Sequence, residues 1–139
     1  MTPLLQSLVA AEHAAVFGYG VLGARLSGAE RDLAQEADDA HRARRDALAA
    51  LLRDEGSEVP APEASYDVAV AARADALALA QRLEEGLAAR WRDLVGATDD
   101  PALRALGAAG LQETAVRAAR WRAAAGVRPP TVAQPGRTP

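Results

Sequence analysis

Leu5-Gln6-Ser7-Leu8-Val9-Ala10-Ala11-Glu12, continued through Ala15 and Tyr19 to Leu22, decides the fold. Leu5, Leu8, Glu12, Ala15, Tyr19 and Leu22 recur every three or four positions, the spacing of one face of an α-helix. Thr2 is placed to cap this helix and Pro3 suits its first position, so the spacing predicts a helix from about Pro3 to Leu26. Gly18, Gly20 and Gly23 weaken its second half and point to a close helix contact there. An offset of 72 positions brings the pattern back: Leu5 falls on Leu77, Glu12 on Glu84, Tyr19 on Trp91 and Leu22 on Leu94. The repeated stripe is Leu77, Ala80, Glu84, Leu87, Trp91 and Leu94, on a helix predicted from about Arg73 to Ala97 with Asp75 near its start.

Each of these helices is followed by a restart signal. Ser27-Gly28-Ala29-Glu30 reads as a capping box, the Ser oxygen accepting from a free amide while Glu reaches back to the cap. The helix it opens runs to about Glu55, with Leu33, Ala37, His41, Leu48, Leu51 and Leu52 as its stripe and Gly56 as its stop. Thr98-Asp99-Asp100-Pro101 stops the third helix and starts a fourth, Asp as cap and Pro in the first turn. That helix continues to about Ala125, with Leu103, Leu106, Gly110, Glu113, Val116 and Trp121 on or near its inner side, and Gly126 ends it. Tight turns make each pair an antiparallel hairpin. The longer segment 57–72, with Pro60 and Pro62, can carry the chain along or across the bundle. The expectation is an all-α four-helix bundle over residues 1–126. A Pro-rich tail over 127–139 is expected to be extended or disordered unless it docks.

Composition agrees and narrows the function classes. The 139 residues fit one domain with a modest core. The hydrophobic fraction of 50 % is largely alanine and aromatics are 4 %, so the core is thin and the helices pack close. The net charge of −3 argues against a general nucleic-acid or anionic-membrane binder. Every basic residue is Arg, which reads as codon bias. The absence of Cys excludes disulfides, thiolate metal sites and thiol nucleophiles. No apolar run approaches a membrane span, and no export signal is visible, so the expected location is cytoplasmic. No phosphate-binding glycine loop or nucleophile elbow occurs in the proper context.

The chemistry rests on ionisable residues placed inside the apolar stripes. Glu12 and Glu84 lack a basic residue at local ion-pair spacing. A buried carboxylate without a partner costs several kcal/mol or changes its protonation state, so something across the bundle must satisfy both. Glu12 lies fifteen positions before Ser27 and His41 fourteen after it, at one level of an antiparallel hairpin. Glu84 and Glu113 are related likewise around Asp99. Each helix thus aims one ligand-type side chain into a common layer, and Asp38, one turn before His41, can add an oxygen. Glu12, Asp38, His41, Glu84 and Glu113 are therefore the candidate metal ligands. Set against this are a buried polar pair for Glu12 and Glu84, satisfied by His41 or an Arg, and an ordinary Glu113–Arg117 pair one turn apart.

These stretches resemble the ferritin-like superfamily, and more narrowly a ferritin-like domain family of unknown function in high-GC bacteria. The resemblance lies in Ala11-Glu12-His13-Ala14-Ala15-Val16-Phe17-Gly18-Tyr19-Gly20, Ala40-His41-Arg42-Ala43-Arg44-Arg45-Asp46, Leu83-Glu84 with Trp91, and Ala118-Ala119-Arg120-Trp121-Arg122, and it covers residues 4–125. The tail Pro129-Pro130-Thr131-Val132-Ala133-Gln134-Pro135-Gly136 is also similar to that narrower family's end. The wider superfamily holds two metals with single Glu residues on two helices and Glu-x-x-His on the other two. The resemblance implies Glu12 and Glu84 in the single-Glu positions and Asp38 with His41 as a shortened Glu-x-x-His. The fourth helix departs from the pattern: a second His is absent, with Val116 standing where one would follow Glu113.

Three classes follow. One is a binding protein or vestigial oxidase with a partial carboxylate/His site holding iron or another divalent metal, best a single ion on Glu12, His41 and Glu84 with Glu113 as fourth ligand. The second is a metal-free helical interaction module, a homodimer motivated by the Ala-rich core, an outer Trp121, and Val9 and Phe17 beside the inner stripe. The third is a di-metal redox enzyme, which the missing ligands disfavour, so no robust enzymatic activity is expected.

Overall fold

A computed structural model of the chain describes residues 1–137. It contains α1 (Thr2–Gly23), α2 (Gly28–Asp54), α3 (Arg73–Ala97) and α4 (Pro101–Ala124), with no strand among the described residues. α1 packs against both α2 and α3, and α4 packs against α3. The connection from Gly56 to Ala72 runs along α1: Gln6 donates to Glu58 O (2.9 Å), the His13 ring meets Pro60 O (3.1 Å) and Arg25 donates to Val70 O (3.3 Å). It returns the chain to the end where α1 finishes, so α3 starts there and runs antiparallel to α1. Contacts of Gly18 with Leu83 and of Ser7 with Arg90 show that direction.

The stripes of α1 and α3 are buried throughout: Leu5, Leu8, Glu12, Ala15, Tyr19 and Leu22 on one, Leu77, Ala80, Glu84, Leu87, Trp91 and Leu94 on the other. α4 is rotated by about one position from its sequence reading. Its buried face is Gly107, Gly110, Thr114, Ala118 and Trp121, whereas Val116 is 46 % exposed and Glu113 points outward. The reason is volume. Trp91 and Trp121, both fully buried, fill the layer between α3 and α4 and leave room only for small residues opposite. A Cβ at Gly110 would lie 2.4 Å from Cδ2 of the Trp91 ring. The indole is hemmed in, so Gly110→Ala should destabilise the bundle by about 1–3 kcal/mol in urea unfolding. Gly18→Ala meets only the flexible end of Leu83 and should be milder, and equal losses would contradict this packing account.

The helix starts differ from the sequence reading in detail. Met1, not Thr2, is the cap of α1. Ser27 caps α2 without a side-chain bond, and Glu30 turns away from it to a bidentate pair with Arg73. Asp100 is the Asp that caps α4, accepting from Ala102 N (2.7 Å) and Leu103 N (3.2 Å). At α3 the Asp75 carboxylate reaches back to the amides of Ala71 and Ala72. The tail docks on the outer side of α3 and α4: Arg122 donates to Pro130 O (3.2 Å), and Gly136 lies so close to the Ala88 carbonyl that a Cβ there would be 2.5 Å away. The last two tail residues, 138 and 139, lie outside the described residues.

Candidate functional site

Four long helices place one connected polar cluster in the otherwise apolar core. Glu12 on α1 is 1 % exposed, while His41 on α2 and Glu84 on α3 are fully buried. The His41 ring lies between the two carboxylates, with Nδ1 2.7 Å from Glu12 Oε2 and Nε2 2.9 Å from Glu84 Oε1. Carboxylates only accept, so an imidazolium donating from both nitrogens satisfies both contacts. Glu84 gathers further donors. The Tyr19 hydroxyl donates to Oε1 at 2.6 Å, and Arg117 Nε lies 3.1 Å from each Glu84 oxygen. Trp121 Nε1 donates to the Tyr19 oxygen at 2.8 Å, closing the chain Trp121–Tyr19–Glu84. Tyr19 stacks on the His41 ring, with centroids 5.3 Å apart.

The electrostatics follow from burial and proximity. Burial by itself would lower the His41 pKa, but the bonds and charges of Glu12 and Glu84 prevail and raise it to about 9. Burial raises Glu12 above its ordinary range, against the opposing pull of His41. Burial, followed by the Glu84 charge and bond, holds Tyr19 well above its usual value, so its hydroxyl stays a donor. The cluster contains two carboxylates, one imidazolium and one guanidinium, so the full charges cancel inside the bundle.

Of the five residues proposed as ligands, the structure brings together Glu12, His41 and Glu84. Glu113 is 47 % exposed and pairs with Arg44 of α2, not with Arg117; Arg44 also lies over the Trp91 ring at 5.4 Å. Asp38 binds Arg42 through Oδ2 (3.0 Å), and its Oδ1 is buried without a hydrogen-bond partner among the described residues. Among the described residues no three His, Asp or Glu side chains are arranged to hold a metal ion. The donor chemistry agrees. A ligating imidazole needs a bare nitrogen aimed at the ion, yet both nitrogens of His41 face carboxylates, and a guanidinium stands against both oxygens of Glu84. This donor set does not fit the two-metal arrangement that the resemblance implies.

Arg117 is the member of the cluster that the sequence reading assigned elsewhere. It is half-buried and lies at helical spacing beside Gly110, Thr114 and Trp121 of the buried face of α4. An Arg one turn after the small residue Thr114 and two after Gly110 is the signal that could have found it. Val9 and Trp121, two of the residues that motivated a dimer, are instead fully buried. No described helix is long and apolar enough to cross a membrane.

The solved structure of a conserved hypothetical protein, rv2844, from Mycobacterium tuberculosis is similar to this chain at 33 % identity with a TM-score of 0.85, covering 88 % of this chain and 95 % of that one. No curated protein matches the chain. The model of a family described as "Domain of unknown function (DUF4439)" matches residues 4–139, bundle and tail together, and the chain belongs to that family.

Proposed function

We propose that this protein is a metal-free helical interaction module, a bundle of ferritin-like type in which His41 and Arg117 stand where cations would otherwise neutralise Glu12 and Glu84. The observation that carries this reading is the mutual saturation of the cluster: both His41 nitrogens are engaged by carboxylates, and Arg117 engages both oxygens of Glu84. To enter, a metal ion must displace Arg117 and take the His41 proton, which is held up to about pH 9. Either step opposes binding at neutral pH. Stable metal pairs also need bridging carboxylates and an imidazole near each ion, and this core holds one imidazole. No robust ferroxidase activity is expected.

Elemental analysis of protein purified without chelator, followed by anaerobic ferrous loading and admission of oxygen, tests the reading. The expected result is no stoichiometric metal and no rapid oxidation. Fast oxidation of two irons per chain, abolished in Glu84→Ala, would replace this reading with a di-metal enzyme. One tightly held ion lost in the same variant would replace it with the partial site.

Self-association is favoured by one surface feature. Phe17 is 37 % exposed, and its ring contacts Tyr66 of the long connection with centroids 5.1 Å apart. An exposed Phe backed by a half-buried Tyr offers an apolar contact between copies. Light scattering should give a dimer mass that Phe17→Ser shifts toward monomer. A monomer mass for the unmodified protein at high concentration would remove this reading.

A further inference from the structure

The tail, α3 and α4 line a half-open cleft of about 460 Å³. Val95, Leu111, Ala115 and Val116 line it from the helices, and Val132 and Pro135 from the tail. Its size is that of a small-molecule site. The lining is apolar because α4 carries no charged residue between Arg104 and Glu113, and because the buried face of that helix is taken up by glycine, alanine and threonine.

The charges on the wall are already committed. Glu85 and Arg122 both line the cavity, and they bind each other: Arg122 Nη2 and Nε lie 2.7 and 3.2 Å from the same Glu85 oxygen. Arg122 spends its Nη1 on Pro130 O, fixing the tail. A charged ligand would find no net counter-charge there, since the carboxylate and the guanidinium of the lining form a pair. Two neutral polar side chains on the wall, Gln112 and Thr131, are exposed and can meet a hydroxyl. From Ala108 to Ala119 the helix wall is roughly 16 Å long at 1.5 Å per residue. We propose that this cavity binds an uncharged single-chain lipid, its alkyl chain along the α3–α4 crevice and its hydroxyl head near Gln112 and Thr131. The match is one of charge and shape: an apolar trough with neutral polar groups and no unpaired ion.

The test uses the full chain and 1-octanol, 1-decanol and 1-dodecanol as probes, read by displacement of a neutral solvatochromic dye. Binding should saturate at one alcohol per chain and tighten about fourfold for each methylene that enters the cavity. Dodecanoate and dodecylammonium should bind at least about tenfold more weakly, since each must leave water without a counter-ion. Ala108 is exposed at the cavity wall, so Ala108→Trp should fill the space, keep the helical circular dichroism signal and abolish binding. Val116→Asp is the second variant and should act likewise by placing a charge in the trough. No saturable alcohol binding, or equal binding by both variants, would overturn the proposal. Dodecanoate binding as well as dodecanol would overturn the neutral-ligand assignment. A dimer mass that Ala108→Trp abolishes while the dye is excluded would show that a second copy covers the cavity instead.

Discussion

Replacing His41 with alanine is expected to destabilise the protein by about 3–5 kcal/mol at neutral pH, the range for removing one partner of a buried ion pair. Among the described residues the imidazolium is the one hydrogen-bond partner of Glu12 and one of three donors to Glu84. Without it, Arg117 and Tyr19 still hold Glu84, but Glu12 is left buried and unpaired. The loss should therefore fall mainly on Glu12, and Glu12→Gln in the His41→Ala background should restore part of it. Urea unfolding of the two single variants and the double variant measures the coupling. A His41→Ala loss below about 1 kcal/mol would mean that the cluster is open to water or already neutral.

The second large effect is the response to pH. The folded protein holds the His41 proton to about pH 9, whereas an unperturbed His loses it near 6.5. Folded molecules therefore bind more protons than unfolded ones across that window, and stability falls as pH rises through it. The stabilisation is complete below pH 6.5, is lost progressively toward pH 9, and is absent above. At about 1.36 kcal/mol per unit, the loss is roughly 3 kcal/mol. Glu12 acts in the same direction. Its pKa is raised mainly by burial, so the folded state favours its protonated form and loses stability as pH climbs through the raised value. Thermal unfolding followed from pH 6 to 9.5 should show a falling midpoint that His41→Ala flattens. A midpoint independent of pH in the unmodified protein would contradict the assignment of charge to His41.

Much of this architecture was legible in the sequence where large apolar residues keep helical register. The stripes of α1 and α3 mark their buried faces without error, and Glu12 and Glu84 could be placed inward because they interrupt runs of Leu and Ala. The level of His41 opposite Glu12 followed from equal distances to the turn. α4 was harder to read. Its inner face is built from Gly107, Gly110, Thr114 and Ala118, residues whose burial reflects the bulk of Trp91 and Trp121 across the interface and not their own hydrophobicity. A one-position error in phase carries Glu113 inward on paper and leaves Arg117 outside, and the true arrangement is the reverse. The repeat at an offset of 72 shows the same division. It holds for Glu12 and Glu84 on the inner helices, and fails for His41 and Glu113, one buried and the other paired at the surface with Arg44. The capping box at Ser27 is not formed, and Arg73, distant in sequence, offers Glu30 a charged partner that a local pattern does not contain.

His41 stands as a doubly protonated cation between Glu12 and Glu84, in a core whose charges neutralise one another. Nitrogen-15 nuclear magnetic resonance of the imidazole at pH 7, on protein prepared without added metal or chelator, tests it most directly. Both ring nitrogens should carry protons, with the imidazolium pattern persisting until the pH approaches 9. A spectrum at pH 7 with one bare ring nitrogen, or one shifted by a coordinated ion, would contradict the account.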